Sequence, residues 1–533
     1  MIDFFLLPLQ GSFKPGQDIL FQLVLADPDQ LNFPLEINLK IWHIFNPVGD
    51  LVEIINNVGN LSNLILSWSP PAGIKGGFGV QATLTDTVGI LLGSATTAFD
   101  ILDDWTEFPR YGFLSDFFPN REDVDETLLD MLRFHINGIQ YYDWQYRHDQ
   151  LISPENNYLD PLGRELSLDT IKDFLQNCKN YRISSMPYMA VYAASLAFWK
   201  KHPEWALYDP KGEPYYFEDF LGIMDPSPNS PWIEHIKKEC GRVISKLDFD
   251  GIHIDQYGEP REGLNAAGES VDLPAAFQRF INELKSIYPQ ATVVFNAVKN
   301  WPIESLALSQ QDFMYIEIWP PNTSYQELGD IVSRARTLSG EKPVVIAAYI
   351  PAKHEANVRL ADAVIFSNGG TRIELGEGKR LLTDPYFPKH EKLSPDLENA
   401  LLNYQDFLVC YGDLIGPSQK RFRGFPISTP AGIVSTCCIK EGLISICLIN
   451  QKGIEKLQWD QIHGEPEVQE NVEIEVITPW KIKEARWGSP DQPDWKLNTI
   501  EWVQESGVCR AYIPHVDFWG TLVLSVQDKD ISL

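Results

Sequence analysis

The chain has 533 residues and a formal net charge of −29, and at about 150 residues per domain this length predicts roughly three domains. The acidity, without any run of basic residues, argues against binding to nucleic acid or to an anionic membrane. A hydrophobic content of 44% and a charged content of 22% are typical of soluble globular proteins, and no run of about 18 apolar residues predicts a membrane span.

The first residues, MIDFFLLPLQGSF, predict a β-strand, because they lack the basic region and small-residue cleavage site of a signal peptide. The seven cysteines are scattered without zinc-ligand spacing, which predicts free buried thiols. As written, the chain is therefore expected to be cytoplasmic. Removal of a signal peptide from a precursor would leave the same sequence for a secreted protein.

Residues 1–104 contain alternating apolar runs such as DILFQLVL, LEINLKIWHI and GGFGVQATL, separated by turns rich in Gly, Pro and Asn. This pattern predicts an all-β unit in the form of a small sandwich. Residues 411–533 contain similar strand-like apolar runs in AGIVSTCCI, LISICLIN, VEIEVITPW and GTLVLSV. They predict a second β-sandwich.

Between these two units, over residues 105–410, short apolar strands alternate with helical patterns. In LPAAFQRFINELKSIY, six apolar residues from Leu273 to Ile287 form one stripe, and Ser394 with Pro395 predicts another helix start. A (β/α)8 TIM barrel fits this alternation best; a doubly wound sheet lacks support because no Gly-rich phosphate loop follows a strand. The eight predicted strands are 110–117, 138–144, 184–194, 251–258, 292–298, 313–319, 342–350 and 361–370.

In a TIM barrel, side chains alternate between the interior and the helix layer, and catalytic groups collect at the carboxyl ends of the strands. In GIHIDQYG the two Ile residues suit the helix layer, so His253 and Asp255 point inward. In MYIEIW the same phase selects Glu317 and Trp319. The inward residues predicted for the other strand ends are Asp143, Tyr188, Tyr192, Asn296, Tyr349 and Asn368.

Three carboxylates, those of Asp143, Asp255 and Glu317, are thus predicted to meet at one mouth, and burying them costs several kcal/mol, which suggests a functional reason. A carboxylate pair flanked by aromatic and amide groups suits glycoside hydrolysis without a cofactor. Glu317, between two Ile residues, has the drier setting that suits the acid. Asp255 suits the nucleophile, with His253, Gln256 and Asn296 as possible hydrogen-bond donors.

Three alternatives remain at this point. His253 and Asp255 share one face of a strand and could ligate a metal, although no HxH pair occurs and such barrels usually need several His residues. The chain could also be a binding barrel without catalysis. The polar residues could simply close the mouth of an inert barrel.

The motifs FDGIHIDQYGE, FNAV, MYIEIWPP, VVIAAYI and GGTRIELGEGKRLLTDPYFP together resemble glycoside hydrolase family 66, as do YYDWQYRHD, MPYMAVYAA and MDPSPNSPW. That family contains dextranases and cycloisomaltooligosaccharide glucanotransferases, and its layout places an immunoglobulin-like β-sandwich before the barrel and a β-sandwich after it. The resemblance implies retaining, endo-acting attack on α-1,6-linked glucan. It implies Asp255 as nucleophile, Glu317 as acid/base and Asp143 as a third acid important to activity.

The chain departs from the family where the segment GGxHIELG is expected, because Arg372 replaces the His, which affects a contact near Glu374. Only short connections follow strands seven and eight, so the binding module that the glucanotransferases insert there does not fit, and hydrolysis is favoured over cyclisation. The expected partner is an α-1,6-glucan or isomaltooligosaccharide. Its pocket would have stacking walls of Tyr192, Trp319 and Tyr349, with Gln256 and Tyr257 beside the nucleophile.

Overall fold

The computed structural model describes residues 2–25, 33–57, 64–373, 375–384, 389–422 and 424–527. Within these ranges the chain forms a central unit around a parallel sheet, preceded and followed by units of antiparallel sheets. No helix among the described residues is long and apolar enough to cross a membrane.

The first unit is all-β and consists of two antiparallel sheets, ordered β1-β2-β5 and β4-β3-β6-β7. Alternate residues of the third strand are buried, as the alternating sequence predicts, and they share one apolar core with Ile19 and Phe21 of the other sheet. The seven strands are β1 Phe4–Pro8, β2 Ile19–Leu25, β3 Leu35–His43, β4 Asn46–Ile55, β5 Ile65–Trp68, β6 Gly76–Asp86 and β7 Leu91–Ile101.

The central unit carries the parallel sheet together with several short accessory strands. Its strands are β8 Tyr111–Leu114, β9 Gly138–Tyr141, β10 Asn157–Leu159, β11 Glu165–Ser167, β12 Ser184–Ala190, β13 Ala193–Ser195, β14 Tyr216–Phe217, β15 Leu221–Ile223, β16 Gly251–Asp255, β17 Thr292–Val298, β18 Met314–Glu317, β19 Val344–Ala347, β20 Gly370–Arg372, β21 Leu375–Gly376, β22 Arg380–Asp384 and β23 Lys389–Lys392. Each of the first seven predicted barrel strands overlaps an observed one.

The helices of the central unit follow the strands as crossovers. They are α1 Val124–Arg133, α2 Leu168–Asn180, α3 Leu196–Trp199, α4 Pro231–Leu247, α5 Leu273–Ile287, α6 Ile303–Ala307, α7 Tyr325–Ser339, α8 Glu355–Ser367 and α9 Pro395–Cys410. Ser394 caps α9 by accepting a hydrogen bond from the Leu397 N–H, with Pro395 at its first position, as predicted. The stripe predicted on α5 is buried except for Ile287, which is exposed.

The parallel strands are ordered β20-β19-β18-β17-β16-β12-β9-β8-β21 in one curled sheet. At one end β20 pairs with β19, and β21, which follows β20 in the chain, pairs with β8 at the other end. One stretch of chain therefore touches both edges of the sheet, which gives it a TIM-like curvature. Because all these strands run the same way, their carboxyl ends meet at one face.

The prediction of an eighth strand over 361–370 is wrong. Those residues belong mostly to α8, and the strand β20 begins only at Gly370. The helix is buried on almost every side, between α7 on one flank and the C-terminal unit, where Phe366 contacts Trp519, on another. A helix without a polar face has no readable period, so its apolar run resembles a buried strand.

The C-terminal unit follows the short helix α10 Gly412–Ile415 and again contains two antiparallel sheets. Their orders are β24-β27-β31-β30 and β25-β26-β32-β28-β29, and they share one apolar core. All seven cysteines of the chain are free and buried, as their spacing predicts. The strands are β24 Ile427–Ser428, β25 Ile433–Lys440, β26 Leu443–Asn450, β27 Gln469–Ile477, β28 Ile482–Gly488, β29 Asn498–Thr499, β30 Glu501–Glu505, β31 Val508–Val516 and β32 Trp519–Val526.

Asp413, in α10, joins all three units through its carboxylate. Oδ2 accepts hydrogen bonds from His43 Nε2 at 3.1 Å and from the Gly77 N–H at 2.9 Å, both in the first unit. Oδ1 pairs with Lys440 Nζ of the C-terminal unit at 2.9 Å. Burial opposes the charge, but the His43 hydrogen bond and the Lys440 charge outweigh it and lower the pKa of Asp413 to about 2.

We expect Asp413→Asn to destabilise the protein by about 2 kcal/mol at pH 7, because the depressed pKa of Asp413 is a stabilisation of the folded state. A carboxyl group whose pKa is lowered by folding stabilises the folded state fully above its unfolded pKa of about 4. The difference in unfolding free energy between the variant and wild type should therefore disappear as the pH falls from about 4 to 2. Urea unfolding of both proteins across this pH range measures the difference in free energy. A variant difference that does not change with pH would contradict the assignment.

Candidate active site

A cavity of about 280 Å³ opens at the carboxyl ends of the parallel strands. This volume is near the lower end of small-ligand pockets and suits a few rigid rings rather than a large cofactor. Of the predicted residues, those that line it are Asp143, Tyr188, Asp255, Gln256, Tyr257, Asn296, Glu317, Trp319 and Tyr349.

Asp255 and Glu317 face each other across the cavity because of strand order. Asp255 ends β16 and Glu317 ends β18, and the strand between them, β17, carries Asn296. Asn296 Nδ2 donates to Asp255 Oδ1 at 2.8 Å and to Glu317 Oε2 at 2.6 Å. The facing carboxylate oxygens are therefore no further apart than two hydrogen-bond lengths, which fits the ~5–5.5 Å separation of retaining glycosidases.

Glu317 is buried and Asp255 is partly buried, and both carboxyl groups have raised pKa values. Burial and then the charge of Glu317 raise the pKa of Asp255, against the donors Asn296, the Gln256 N–H and Tyr188. Burial likewise raises the pKa of Glu317, against hydrogen bonds from Asn296, Trp319 and Tyr349. The pair therefore retains a proton to higher pH than two separate carboxyl groups would. Since each carboxylate has several donors, hydrogen bonding alone does not divide the roles of acid and nucleophile.

We expect Asn296→Ala to lower kcat about 10–100-fold, because each charge-assisted hydrogen bond to a carboxylate contributes about 1.5–3 kcal/mol. Loss of a donor to ionised Asp255 raises its pKa further, so the acid limb of the kcat/KM profile should move to higher pH. The pH–rate profile measures both effects, with Asn180→Ala on the exposed face of α2 as a control. An unmoved acid limb would count against the bridging role.

Asp143 reaches the cavity by a different route from the predicted strand phase. β9 ends at Tyr141, and Gln140 and Tyr142 hold the inward positions. Asp143 then takes a left-handed backbone with φ 44°, which is uncommon for a non-glycine residue and turns its side chain toward the cavity. Burial raises the pKa of its carboxyl to about 6, partly opposed by Arg164. Such strain at a cavity is typical of a functional position.

His253 does not lie at the mouth. It is buried inside the curled sheet, where Nδ1 is 3.1 Å from the Tyr111 hydroxyl and the ring packs edge-on against Tyr315. Burial lowers the pKa of His253 to about 3. The strand phase is correct, but two residues before Asp255 the inward direction points into the core inside the sheet, below the cavity. His253 therefore neither lines the cavity nor donates to Asp255.

Two other predicted residues, Tyr192 and Asn368, do not line the cavity. Tyr192 lies beyond the end of β12, and its hydroxyl accepts from the Tyr257 N–H at 2.9 Å and donates to the Glu259 carbonyl at 3.1 Å, so it supports the pocket wall from behind. Asn368 caps α8, at the amino end of β20, because the predicted eighth strand is a helix there. Glu374 lies outside the described residues.

The aromatic walls are formed in part by predicted residues. Trp319 Nε1 donates to Glu317 Oε1 at 2.9 Å, and the ring of Tyr349 lies 6.5 Å from that of Trp319. The Gln256 side chain binds main-chain groups, including the Gly258 N–H at 2.6 Å, so it shapes the loop after β16. These residues orient the carboxyl groups and the loop beside them.

Sequence reasoning missed a second, apolar wall. The ring of Phe217 stacks on Tyr257 with centroids 4.3 Å apart, and Phe220 and Leu221 lie beside it in the connection after β12. Leu162, from the connection after β9, faces the same cavity. Strand phase says nothing about connections, although the aromatic cluster YYFEDF was a usable signal. The other lining residues not predicted include Gln140, His148 and Lys299.

One group of possible metal ligands occurs among the described residues, away from the carboxylate pair: Asp116, Glu377 and His390. Glu377 Oε1 already accepts from the Ser115 N–H and hydroxyl, both at 2.7 Å, and Oε2 pairs with Arg121 at 2.6 Å. Glu377 is therefore engaged in a network with a cation, which does not fit the donor set of a metal site.

A TIM-like sheet that carries a carboxyl pair bridged by one amide, between aromatic walls, is typical of the barrel glycoside hydrolases as a class. A family model described as "Glycosyl hydrolase family 66" matches residues 10–523. The chain belongs to this family.

Among similar proteins, a cycloisomaltooligosaccharide glucanotransferase of Niallia circulans is 27% identical over 394 residues, which is 68% of this chain and 40% of that protein. A dextranase of Streptococcus salivarius is 22% identical over 92% of this chain and 73% of its own length. The chain thus spans about two fifths of the length of the glucanotransferases it matches.

A crystal structure of a Paenibacillus sp. cycloisomaltooligosaccharide glucanotransferase complexed with cycloisomaltoheptaose superposes with a TM-score of 0.89. The match covers 97% of this chain and 99% of that chain, at 19% identity. A maltogenic α-amylase of Thermotoga neapolitana matches more distantly, with a TM-score of 0.54 over 79% of this chain. These likenesses establish the fold.

Proposed function

We propose that this protein is a retaining, endo-acting glycoside hydrolase that cleaves α-1,6-glucosidic linkages of dextran or isomaltooligosaccharides. The observation that carries this is the Asn296 amide, which bridges Asp255 and Glu317 at 2.8 and 2.6 Å. That spacing supports a covalent route, because an inverting pair needs more room for a water molecule. The family and its dextranase member support the substrate class.

In this mechanism Asp255 attacks the anomeric carbon while Glu317 gives its proton to the leaving glycosidic oxygen. The glycosyl ester on Asp255 is then hydrolysed by a water that loses its proton to Glu317, which restores the starting state of both groups. The donors Asn296, Trp319 and Tyr349 hold the carboxyl groups in position through both steps.

The remaining lining residues would bind the sugar. Asp143 lines the cavity, and its carboxylate can accept hydrogen bonds from sugar hydroxyls. Trp319 and Tyr349 on one side and Tyr257 with Phe217 on the other suit stacking against pyranose rings. A neutral substrate also agrees with the strongly acidic chain, which disfavours nucleic acid and anionic membranes.

We further propose that the curled sheet closes as a (β/α)8 barrel over residues 105–410, with an immunoglobulin-like sandwich before it and a β-sandwich after it. The pairing of β20 and β21 with opposite edges of the sheet supports closure. The paired sheets around common cores support the sandwiches over residues 1–104 and 411–533.

The test is to incubate the protein with dextran and with isomaltooligosaccharides and to follow reducing ends and the anomer first released. We expect an α-anomer, together with a rapid fall in dextran chain length that marks endo attack. Release of the β-anomer would exclude the covalent route. The absence of release from every α-1,6-glucan would exclude the substrate class.

A second candidate activity is intramolecular transglycosylation to cyclic isomaltooligosaccharides. The names of the Niallia circulans relatives and of the Paenibacillus structure favour it. Mass analysis separates the two activities, since a cyclic product has the mass of a linear one less one water. We expect linear products to dominate, and a majority of cyclic products would reverse the assignment.

A further inference from the structure

His148 lies at the tip of a tight turn after β9. The Tyr146 N–H donates to the Leu151 carbonyl at 2.9 Å, and the Arg147 N–H donates to the Gln150 carbonyl at 3.0 Å. Two successive main-chain bonds close the turn, so residue 148 projects from a defined support.

The turn is also anchored to neighbouring elements. Asp149 Oδ1 accepts from the Ser195 N–H at 2.8 Å, and its carbonyl accepts from His235 Nε2 at 2.7 Å. The Leu151 N–H donates to Glu239 Oε2 of α4 at 3.0 Å. The backbone that carries the His148 ring is therefore held to the connection after β12 and to α4, as a preorganised binding group requires.

The imidazole itself lines the cavity, and one of its two nitrogens has no partner among the described residues. His148 is 6% exposed, and its Nδ1 is buried with no hydrogen-bond partner among the described residues. An unpaired buried polar atom costs about 1–3 kcal/mol unless something else binds it. Gln140 Oε1, which lines the same cavity, is likewise buried and has no hydrogen-bond partner among the described residues.

Burial lowers the pKa of His148 to about 4, so the ring is neutral at pH 7 and has one N–H donor and one acceptor nitrogen. A hydroxyl group, which both donates and accepts, is the natural partner for such a ring. A histidine with only a packing role would be expected to pair within the protein, as His235 does with the Asp149 carbonyl.

We propose that His148 binds a hydroxyl group of the sugar unit that also contacts Asp143, and so positions this unit for cleavage. This inference rests on the proposed α-1,6-glucan activity and adds a residue to its substrate site. His148 and Asp143 come from the same connection after β9, and Gln140 from the strand itself supplies a further unpaired acceptor on that side.

The experiment measures kcat/KM of wild type, His148→Phe and His148→Gln on isomaltotriose and on analogues that each lack one hydroxyl. We expect the kcat/KM of wild type to be about tenfold lower on one analogue than on isomaltotriose, since a neutral hydrogen bond is worth roughly 1 kcal/mol with a further penalty for the unpaired group. The kcat/KM of His148→Phe on isomaltotriose should be about tenfold below that of wild type, and it should fall no further on that analogue. His148→Gln, which keeps hydrogen-bonding groups, should lie between them.

The control is His202→Phe, at a partly exposed ring outside the cavity, which should leave every value unchanged. If His148→Phe matches wild type, or if it stays as sensitive as wild type to every missing hydroxyl, the inference is overturned while the proposed function stands. If wild type itself cleaves no α-1,6-linked substrate, the proposed function fails, and this inference fails with it.

Discussion

Asp255→Asn should lower kcat by on the order of 10⁴-fold, because the amide cannot form the glycosyl ester and hydrolysis must proceed without its nucleophile. Asp255→Ala should be equally inactive and should regain turnover with added azide. The small anion enters the space left by the carboxylate and attacks the same face of the sugar. The product should then be the β-glycosyl azide, with the anomeric centre inverted, as NMR can establish.

The matched control for this change is Asp248→Asn, at an exposed residue that follows α4 and pairs only at the surface with Lys179. Its activity should equal wild type, since exposed ion pairs contribute about 0–1 kcal/mol. If azide rescues Asp255→Ala with retention of configuration, Asp255 is the acid/base and the roles of the pair are exchanged. An unchanged kcat would mean that the site lies elsewhere.

Glu317→Gln should lower kcat about 10³-fold on α-1,6-glucans, because the glycosidic oxygen leaves without a proton. The loss should be much smaller for an α-glycosyl fluoride, whose leaving group needs little protonation. The alkaline limb of the kcat/KM profile, which reports a protonated acid, should disappear. The acid limb should change little, because Glu317 is still protonated and uncharged at the pH where Asp255 ionises.

The test compares the loss of kcat on the glucan with the loss on the glycosyl fluoride. The control is Glu304→Gln, since Glu304 is an exposed partner of Arg334. Azide with Glu317→Ala should give the α-glycosyl azide, since the anion then replaces water on the covalent intermediate. Equal losses on fluoride and glucan would show that Glu317 does not act as the acid. An alkaline limb that persists in Glu317→Gln would assign that ionisation to another group.

The candidate catalytic pair could be predicted from the sequence because its position depends on two short-range rules. Alternation along GIHID and MYIE decides which side chains point inward, and parallel strands bring their carboxyl ends to one face. Asp255, Asn296 and Glu317 are at the ends of three successive strands, so their meeting follows from strand order alone. The same rules, applied to His253, gave the correct direction but not the depth at which the ring lies.

The predictions that failed depended on contacts between distant parts of the chain. α8 resembles a strand because the C-terminal unit and α7 cover its faces and leave no polar side from which a helical period could be read. Because α8 replaces the predicted strand, Asn368 lies at the amino end of β20 and not at the predicted mouth. Asp143 reaches the cavity only through a left-handed backbone that strand alternation does not anticipate.

The sequence by itself determined the first seven strands of the parallel sheet, the inward phase of Asp255 and Glu317, and the family motifs, because these depend on residue type and local spacing. Only the tertiary structure decided that Phe217 covers Tyr257 and that Nδ1 of His148 is buried without a partner among the described residues. Both depend on where long connections fold back over the cavity. That folding is governed by packing between segments far apart in the chain, which leaves no periodic signal in the residues themselves.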